Sequence, residues 1–223
     1  PARWPGAHAA FERRVVKGVP DCLRAKVWRA FAAGDAGPLV VSGDEYRALY
    51  GRISGFERQI DLDIERTLRD HVLFRQRFSQ AQVSLFKVLV AYSNADPEVG
   101  YCQGMSTIAA FLLLYFDEEA AYALLARLMA RGSLRQMYTA GFPRLFELFA
   151  AQEALMGRYL PRLRRRLEAF GIPTSVYATK WYMTLYLSCL PFGTATRVWD
   201  LFLLWGRADL YAGAGDDCLA YSN

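Results

Sequence analysis

The chain has very little of what metal and histidine chemistry require. It carries two histidines, His8 and His71, in 223 residues, so a zinc cage or a histidine general base is hard to assemble. Its four cysteines, Cys22, Cys102, Cys189 and Cys218, form no Cys-x-x-Cys pair and sit among apolar or small residues. They read as reduced thiols of a cytosolic domain rather than as a disulfide framework or a metal site. The longest uninterrupted apolar run, Ile108 to Phe116, falls well short of the ~18 to 20 residues a bilayer requires, and Pro191, Arg197 and Asp200 interrupt the aromatic-rich stretch from Trp181 to Trp205. No membrane span is expected. There is no apolar h-region at the start, and the first residue is Pro1, which reads as an excised piece of a longer protein. Also missing are a Gly-x-x-x-x-Gly-Lys-Ser/Thr loop, a Gly-x-Gly-x-x-Gly fingerprint, a Gly-x-Ser-x-Gly elbow and a His-Glu-x-x-His pair. A chain without these is not expected to turn over a nucleotide or an ester by itself.

What is present is the composition of an ordinary globular domain, 53% hydrophobic and 22% charged, long enough to bury a full core. The net charge of +5 is a weak pointer to nucleic acid or an acidic surface. The densest basic cluster, Arg162 to Arg166, is interleaved with Leu163, Leu167 and Phe170 at helical spacing, so the arginines read as the solvated face of an amphipathic helix. No nucleic-acid partner is expected.

The hydrophobic spacing is helical throughout. Leu23, Val27 and Phe31 repeat every four residues after the cap candidate Asp21, with Arg24 and Trp28 on a neighbouring face as a surface guanidinium against a half-buried ring. Residues 34 to 55 read as loop with one helix near Asp44 to Tyr50. Ile60, Ile64 and Leu68 mark a buried stripe, with Asp63, Arg66 and Asp70 together on the far side. Ser79 to Gln82 is a capping box that opens a helix ending near Asn94, before Pro97. Met105 to Phe116 reads as a fully buried helix, and Asp117 caps another that Gly132 stops. Pro143 opens a helix with Leu145, Phe146, Leu148 and Phe149 inward, and Pro161 opens the arginine-rich one. Two apolar helices, Ser175 to Leu190 and Thr194 to Trp205, follow, the second stopped by Gly206. Strand alternation and fixed-period repeats are both missing, so the fold class is all-α.

Two places stand out chemically. Gln103 lies between Gly100 and Gly104 at the mouth of the apolar run, and Arg66 is kept on the polar side of an amphipathic segment. Arginine and glutamine are the residue types that phosphoryl-transfer systems use to neutralise transition-state charge and to orient a water.

The segments Gln59-Ile60-x-x-Asp63-x-x-Arg66-Thr67 and Gly100-Tyr101-Cys102-Gln103-Gly104-Met105 closely resemble the two signature motifs of the TBC domain of GTPase-activating proteins for Rab-type small GTPases. Three further stretches match in the same order. They are Lys17-Gly18-Val19-Pro20 with Arg24 and Trp28, Tyr177-Ala178-Thr179-Lys180-Trp181, and Arg197-Val198-Trp199-Asp200-Leu201-Phe202. The resemblance implies a single V-shaped helical domain over residues 17–206, in two halves of about 17–132 and 143–206, with a flank at 1–16 and a tail at 207–223. It further implies an arginine finger, Arg66, and a glutamine finger, Gln103, supplied in trans to a GTP-bound Rab in vesicle trafficking. On the same grounds Asp63 would hold Arg66, and Thr67, Tyr101 and Gly104 would shape the site. Arg24, Trp28, Trp181, Arg197, Trp199 and Asp200 would be structural. The domain would have no turnover and no metal or cofactor of its own, GTP and Mg being the partner's. It would be cytoplasmic and brought to endomembranes through the partner or through regions outside this chain. The family pattern continues with helices past Trp199-Asp200, so the Gly- and Asp-containing tail reads as truncated or irregular. The rival expectation is a silent TBC-like module or trafficking scaffold that engages a GTPase without stimulating it; loss of either finger would favour it, and both are present.

Overall fold

A computed structural model describes residues 5–33, 41–130 and 134–205. Among them every regular element is a helix, so the chain is all-α. The stops expected at Gly132 and Gly206, the tail from Ala208, Cys218 and part of the loop after Gly34 lie outside the described residues. The contacts divide the chain into two compact units, Pro1–Val40 with Leu190–Asn223, and Val41–Cys189.

The first unit joins α1 (Pro5–Lys17) and α2 (Asp21–Ala33) to α11 (Phe192–Trp205). Val15, Val19 and Leu204 form one apolar cluster, with Val27 and Phe31 packed against it. The face of α2 that is fully buried differs from the Leu23 stripe: it is Arg24, Trp28 and Ala32, while Leu23 is exposed. Polarity explains the reversal, because Asp200 on α11 is completely buried and demands donors. Arg24 Nε donates to Asp200 Oδ1 at 3.1 Å and Trp28 Nε1 to the same oxygen at 2.8 Å. Arg197 Nη1 donates to Asp200 Oδ2 at 3.2 Å, and its guanidinium also bonds the carbonyls of Val15 and Val16. Trp28 and Trp199 stack in a tilted pair, centroids 6.0 Å apart. Arg24 is therefore a buried ion, where the sequence suggests a surface one. Asp200→Ala would take from Arg24, Trp28 and Arg197 the buried carboxylate they share, and urea denaturation is expected to register a loss of about 3 to 5 kcal/mol.

The second unit is built on α5 (Gln80–Ala95), which packs against α3 (Gly43–Tyr50), α4 (Glu57–Ile64), α6 (Met105–Leu113) and α7 (Glu118–Ala130). A 3-10 turn, Arg135–Met137, leads to α8 (Pro143–Tyr159), which packs with α9 (Pro161–Ala169) and α10 (Thr174–Met183). The start of α5 is the expected capping box, displaced by one residue at its second bond. Ser79 Oγ accepts from Gln82 N, but Gln82 Oε1 takes the amide of Phe78 rather than that of Ser79. Asp117 Oδ1 accepts from Ala120 N at 2.8 Å, as its cap position requires.

Several helices are shorter or differently faced than their patterns imply. The stripe Ile60, Ile64, Leu68 breaks because α4 ends at Ile64 and Leu68 takes a left-handed φ of 44°. Asp63 is consequently not on a polar far side with Asp70; it is buried. The helix α6 ends at Leu113, and residues 113–115 are half-buried. Phe146 is exposed, leaving Leu145, Leu148 and Phe149 as the buried side of α8. The arginines of α9 are solvated as expected, yet no residue of α9 is buried, and Phe170 is 70% exposed. The apolar helix from Ser175 stops at Met183, because Leu185 and Tyr186 both adopt positive φ.

Candidate functional site

The site starts at α4. Ser54 Oγ accepts from Phe56 N while Glu57 Oε1 reaches back to Ser54 N at 2.9 Å, fixing the chain's entry into the helix. This Ser-x-x-Glu start signal is legible in the sequence but is passed over when 34–55 is read as loop. Ile60 and Ile64 bury one side of α4. Thr67 Oγ1 donates to the carbonyl of Asp63 at 2.6 Å and closes the end of the helix in a tight turn. Arg66 stands in that turn, with 59% of its side chain exposed. Its Nη2 donates to Asp63 Oδ1 at 2.6 Å, and the Asp63 side chain is only 1% exposed. A buried carboxylate thus holds an outward guanidinium.

The other Asp63 oxygen faces the second motif. Tyr101 Oη donates to Asp63 Oδ2 at 2.6 Å. Burial, and then this hydrogen bond, pushes the Tyr101 hydroxyl far above the ordinary phenol range, so it remains a donor at every physiological pH. Ser106, in the first turn of α6, hydrogen-bonds Tyr101 and lies 2.9 Å from Thr67 Oγ1. Asp63, Thr67, Ser106 and Tyr101 therefore form one closed polar network between α4 and α6. Ser106 carries no part in the sequence reading, although a serine one position into an apolar helix is itself a sign of a buried partner.

Gln103 lies two residues beyond Tyr101 and is exposed. The turn that presents it is closed by Met105 N donating to Cys102 O at 3.2 Å and by Cys102 N against Met105 Sδ at 3.3 Å. Both flanking glycines are required. Gly100 has φ 59°, and a Cβ there would lie 2.2 Å from the Phe56 ring. Gly104 has φ 105°, and its Cβ would meet the Met183 carbonyl oxygen at 2.7 Å. That carbonyl already accepts from Tyr138 Oη at 2.8 Å, so it has little room to give. Gly104→Ala is expected to cost roughly 2 to 6 kcal/mol, combining backbone strain with overpacking, and to be read as a lowered midpoint in thermal denaturation. Phe56 and Met183 carry no motif letter and emerge only from the fold.

Upstream of the same loop, Arg135 forks onto Asp96, Nε to Oδ2 at 2.7 Å and Nη2 to Oδ1 at 2.9 Å, and also bonds Glu98. These hydrogen bonds hold the Asp96 carboxyl below the usual carboxylate range. Burial raises the Cys102 thiol, which keeps it neutral and unlike a nucleophile. Trp181 is half-buried on α10, its ring 5.3 Å edge-on from Tyr177. Arg24, Trp28, Arg197, Trp199 and Asp200 belong to the first unit, and the Asp63 network belongs to the second. Among the described residues no cluster of His, Cys, Asp or Glu is placed to hold a metal ion, and no helix is long and apolar enough to cross a membrane.

An all-helical chain presenting an arginine and a glutamine from two motif-bearing segments tied to one aspartate has the features of the TBC class. The chain belongs to the Rab-GTPase-TBC domain family, whose sequence model matches residues 21–212. It is 38% identical over 193 residues to a TBC domain-containing protein of Schizosaccharomyces pombe, covering 86% of this chain and 46% of that one. To the Rab GTPase-activating protein tbc-11 of Caenorhabditis elegans it is 36% identical over 202 residues, covering 88% of this chain and 21% of the relative. The crystal structure of the Chlamydomonas flagellar RabGAP TBC domain superposes with a TM-score of 0.76 at 28% identity, over 95% of this chain and 72% of that one. The chain spans less than half the length of these curated relatives.

Proposed function

We propose that the chain is a GTPase-activating domain that stimulates GTP hydrolysis by a Rab-type small GTPase, donating Arg66 and Gln103 to the partner's active site. GTP and its Mg²⁺ would belong to the partner, and the chain would turn over nothing alone. Arg66 would neutralise charge developing on the transferred phosphoryl group. Gln103, whose amide both donates and accepts, would hold the attacking water in line. The observation that carries this reading is the Asp63 carboxylate, bonded at 2.6 Å both to Arg66 and to Tyr101. One buried anchor orders the segments bearing both exposed polar side chains, and such preorganisation is what transition-state stabilisation requires. Membership of the Rab-GTPase-TBC family and the likeness to a C. elegans Rab GTPase-activating protein support the same reading. The domain would act on the cytoplasmic side of endomembranes, recruited by its partner or by segments beyond this chain.

The test is phosphate release from a panel of GTP-loaded Rabs with and without the chain. At least one Rab should be strongly accelerated, and its GDP form should bind the chain tightly only when aluminium fluoride is supplied, since the fingers act in the transition state. Binding to GTP-loaded Rab with no acceleration and no response to aluminium fluoride would instead identify a silent GTPase-binding module.

A further inference from the structure

Beyond α4, residues 65–79 hold no regular helix, and Arg66 sits at the start of that irregular segment. The Asp63 network secures it from one side only. Asp61 lies about 200° around the helix from Asp63, and there a second restraint appears. Arg77 Nη2 is 3.0 Å from both Asp61 carboxylate oxygens. Its Nε is 3.1 Å from Glu65 Oε1, and its guanidinium carbon stands 4.4 Å from the centroid of the Phe78 ring. Glu65 is the C-terminal cap of α4 and the residue immediately before Arg66. Arg77 therefore ties the last turn of α4, the Arg66 backbone and the entry to α5 into one body.

We infer that Arg77 is a positioning residue for Arg66: it fixes the peptide that carries the finger, through Asp61 and Glu65, without touching the GTPase's nucleotide itself. The inference rests on the reading of Arg66 as the finger. With its Nε and Nη2 engaged by carboxylates and its face on Phe78, Arg77 is held in the structure rather than offered to a partner. The three restraints need a planar fork, which an ammonium cannot replace. Because the Asp61, Glu65 and Arg77 side chains are all partly exposed, these pairs stabilise the fold little. Their contribution is geometric, and small misplacements of a catalytic group are costly to rate.

The experiment measures stimulated hydrolysis by wild type, Arg77→Ala, Arg77→Lys and the double variant Asp61→Asn with Glu65→Gln, on a Rab that the wild type accelerates. Each variant is expected to lower the maximal stimulated rate about 10- to 100-fold. Affinity for Rab loaded with a non-hydrolysable GTP analogue should be unchanged, and Tm should move by no more than about 4 °C. Affinity for the Rab–GDP–aluminium fluoride complex should fall with Arg77→Ala in the wild-type background and not fall further when Arg66→Ala is already present. Unchanged rates in all three variants would overturn the inference, as would an aluminium fluoride penalty that persists without Arg66. If the wild type accelerates no Rab, the functional reading falls with it; if Arg66→Ala abolishes stimulation and the Arg77 variants do not weaken it, this inference alone falls.

Discussion

Arg66→Ala is expected to abolish stimulated hydrolysis while leaving a folded chain that still binds GTP-loaded Rab. An arginine finger contributes ~10³ to 10⁵ in rate, which corresponds to roughly 4 to 7 kcal/mol of barrier. The fold should survive because the side chain is mostly solvated and Asp63 retains its Tyr101 hydrogen bond. Arg66→Lys should fail as well, because a point ammonium cannot reproduce the planar fork. The checks are single-turnover phosphate release, binding to Rab carrying a GTP analogue, and a circular-dichroism melt. Near-native stimulation by either variant would remove Arg66 from the finger role.

The second large effect separates two mechanisms that share an arginine. In a Ras-type scheme the GTPase's own switch glutamine orients the water and the activator adds only arginine. If Gln103 carries the water, a Rab whose switch glutamine is replaced by Ala should still be stimulated substantially. Gln103→Ala should correspondingly cripple stimulation of the unmodified Rab although Arg66 is intact. The loss should lie in the maximal rate far more than in affinity for the GTP form, as expected for a group used only in the transition state. A full requirement for the Rab's glutamine, with indifference to Gln103, would leave Gln103 as a surface residue of a tight turn.

The helical class, most helix starts and the exposure of Arg66 were legible from spacing and caps, because those signals are local. The errors fall where a distant partner decides. Leu23, Val27 and Phe31 satisfy helical periodicity better than Arg24, Trp28 and Ala32, yet the second set is buried on account of a carboxylate 176 residues away. Periodicity carries the stripe on to Leu68, but the Thr67 hydroxyl takes the Asp63 carbonyl and the chain turns left-handed. Asp63 itself looks like surface on a helical wheel and lies at 1% exposure between two donors. The glycines of the second motif signal close approach, whereas what approaches, the Phe56 ring and the Met183 carbonyl, carries no local trace.

The bond between Arg24 and Asp200 also constrains when the protein can finish folding. It closes a loop of 176 residues, and at ribosomal speeds of 5 to 20 residues per second the aspartate is made roughly 9 to 35 s after the arginine. Throughout that interval Arg24 and Trp28 lack the carboxylate and the indole that α11 supplies. The internal contacts of the Val41–Cys189 unit, which include the Asp63 network, all lie within chain already synthesised. Residues of the candidate site can therefore be assembled while the two ends of the chain still await each other, and nascent chains stalled before α11 should be cut by protease ahead of α2 and spared within α5.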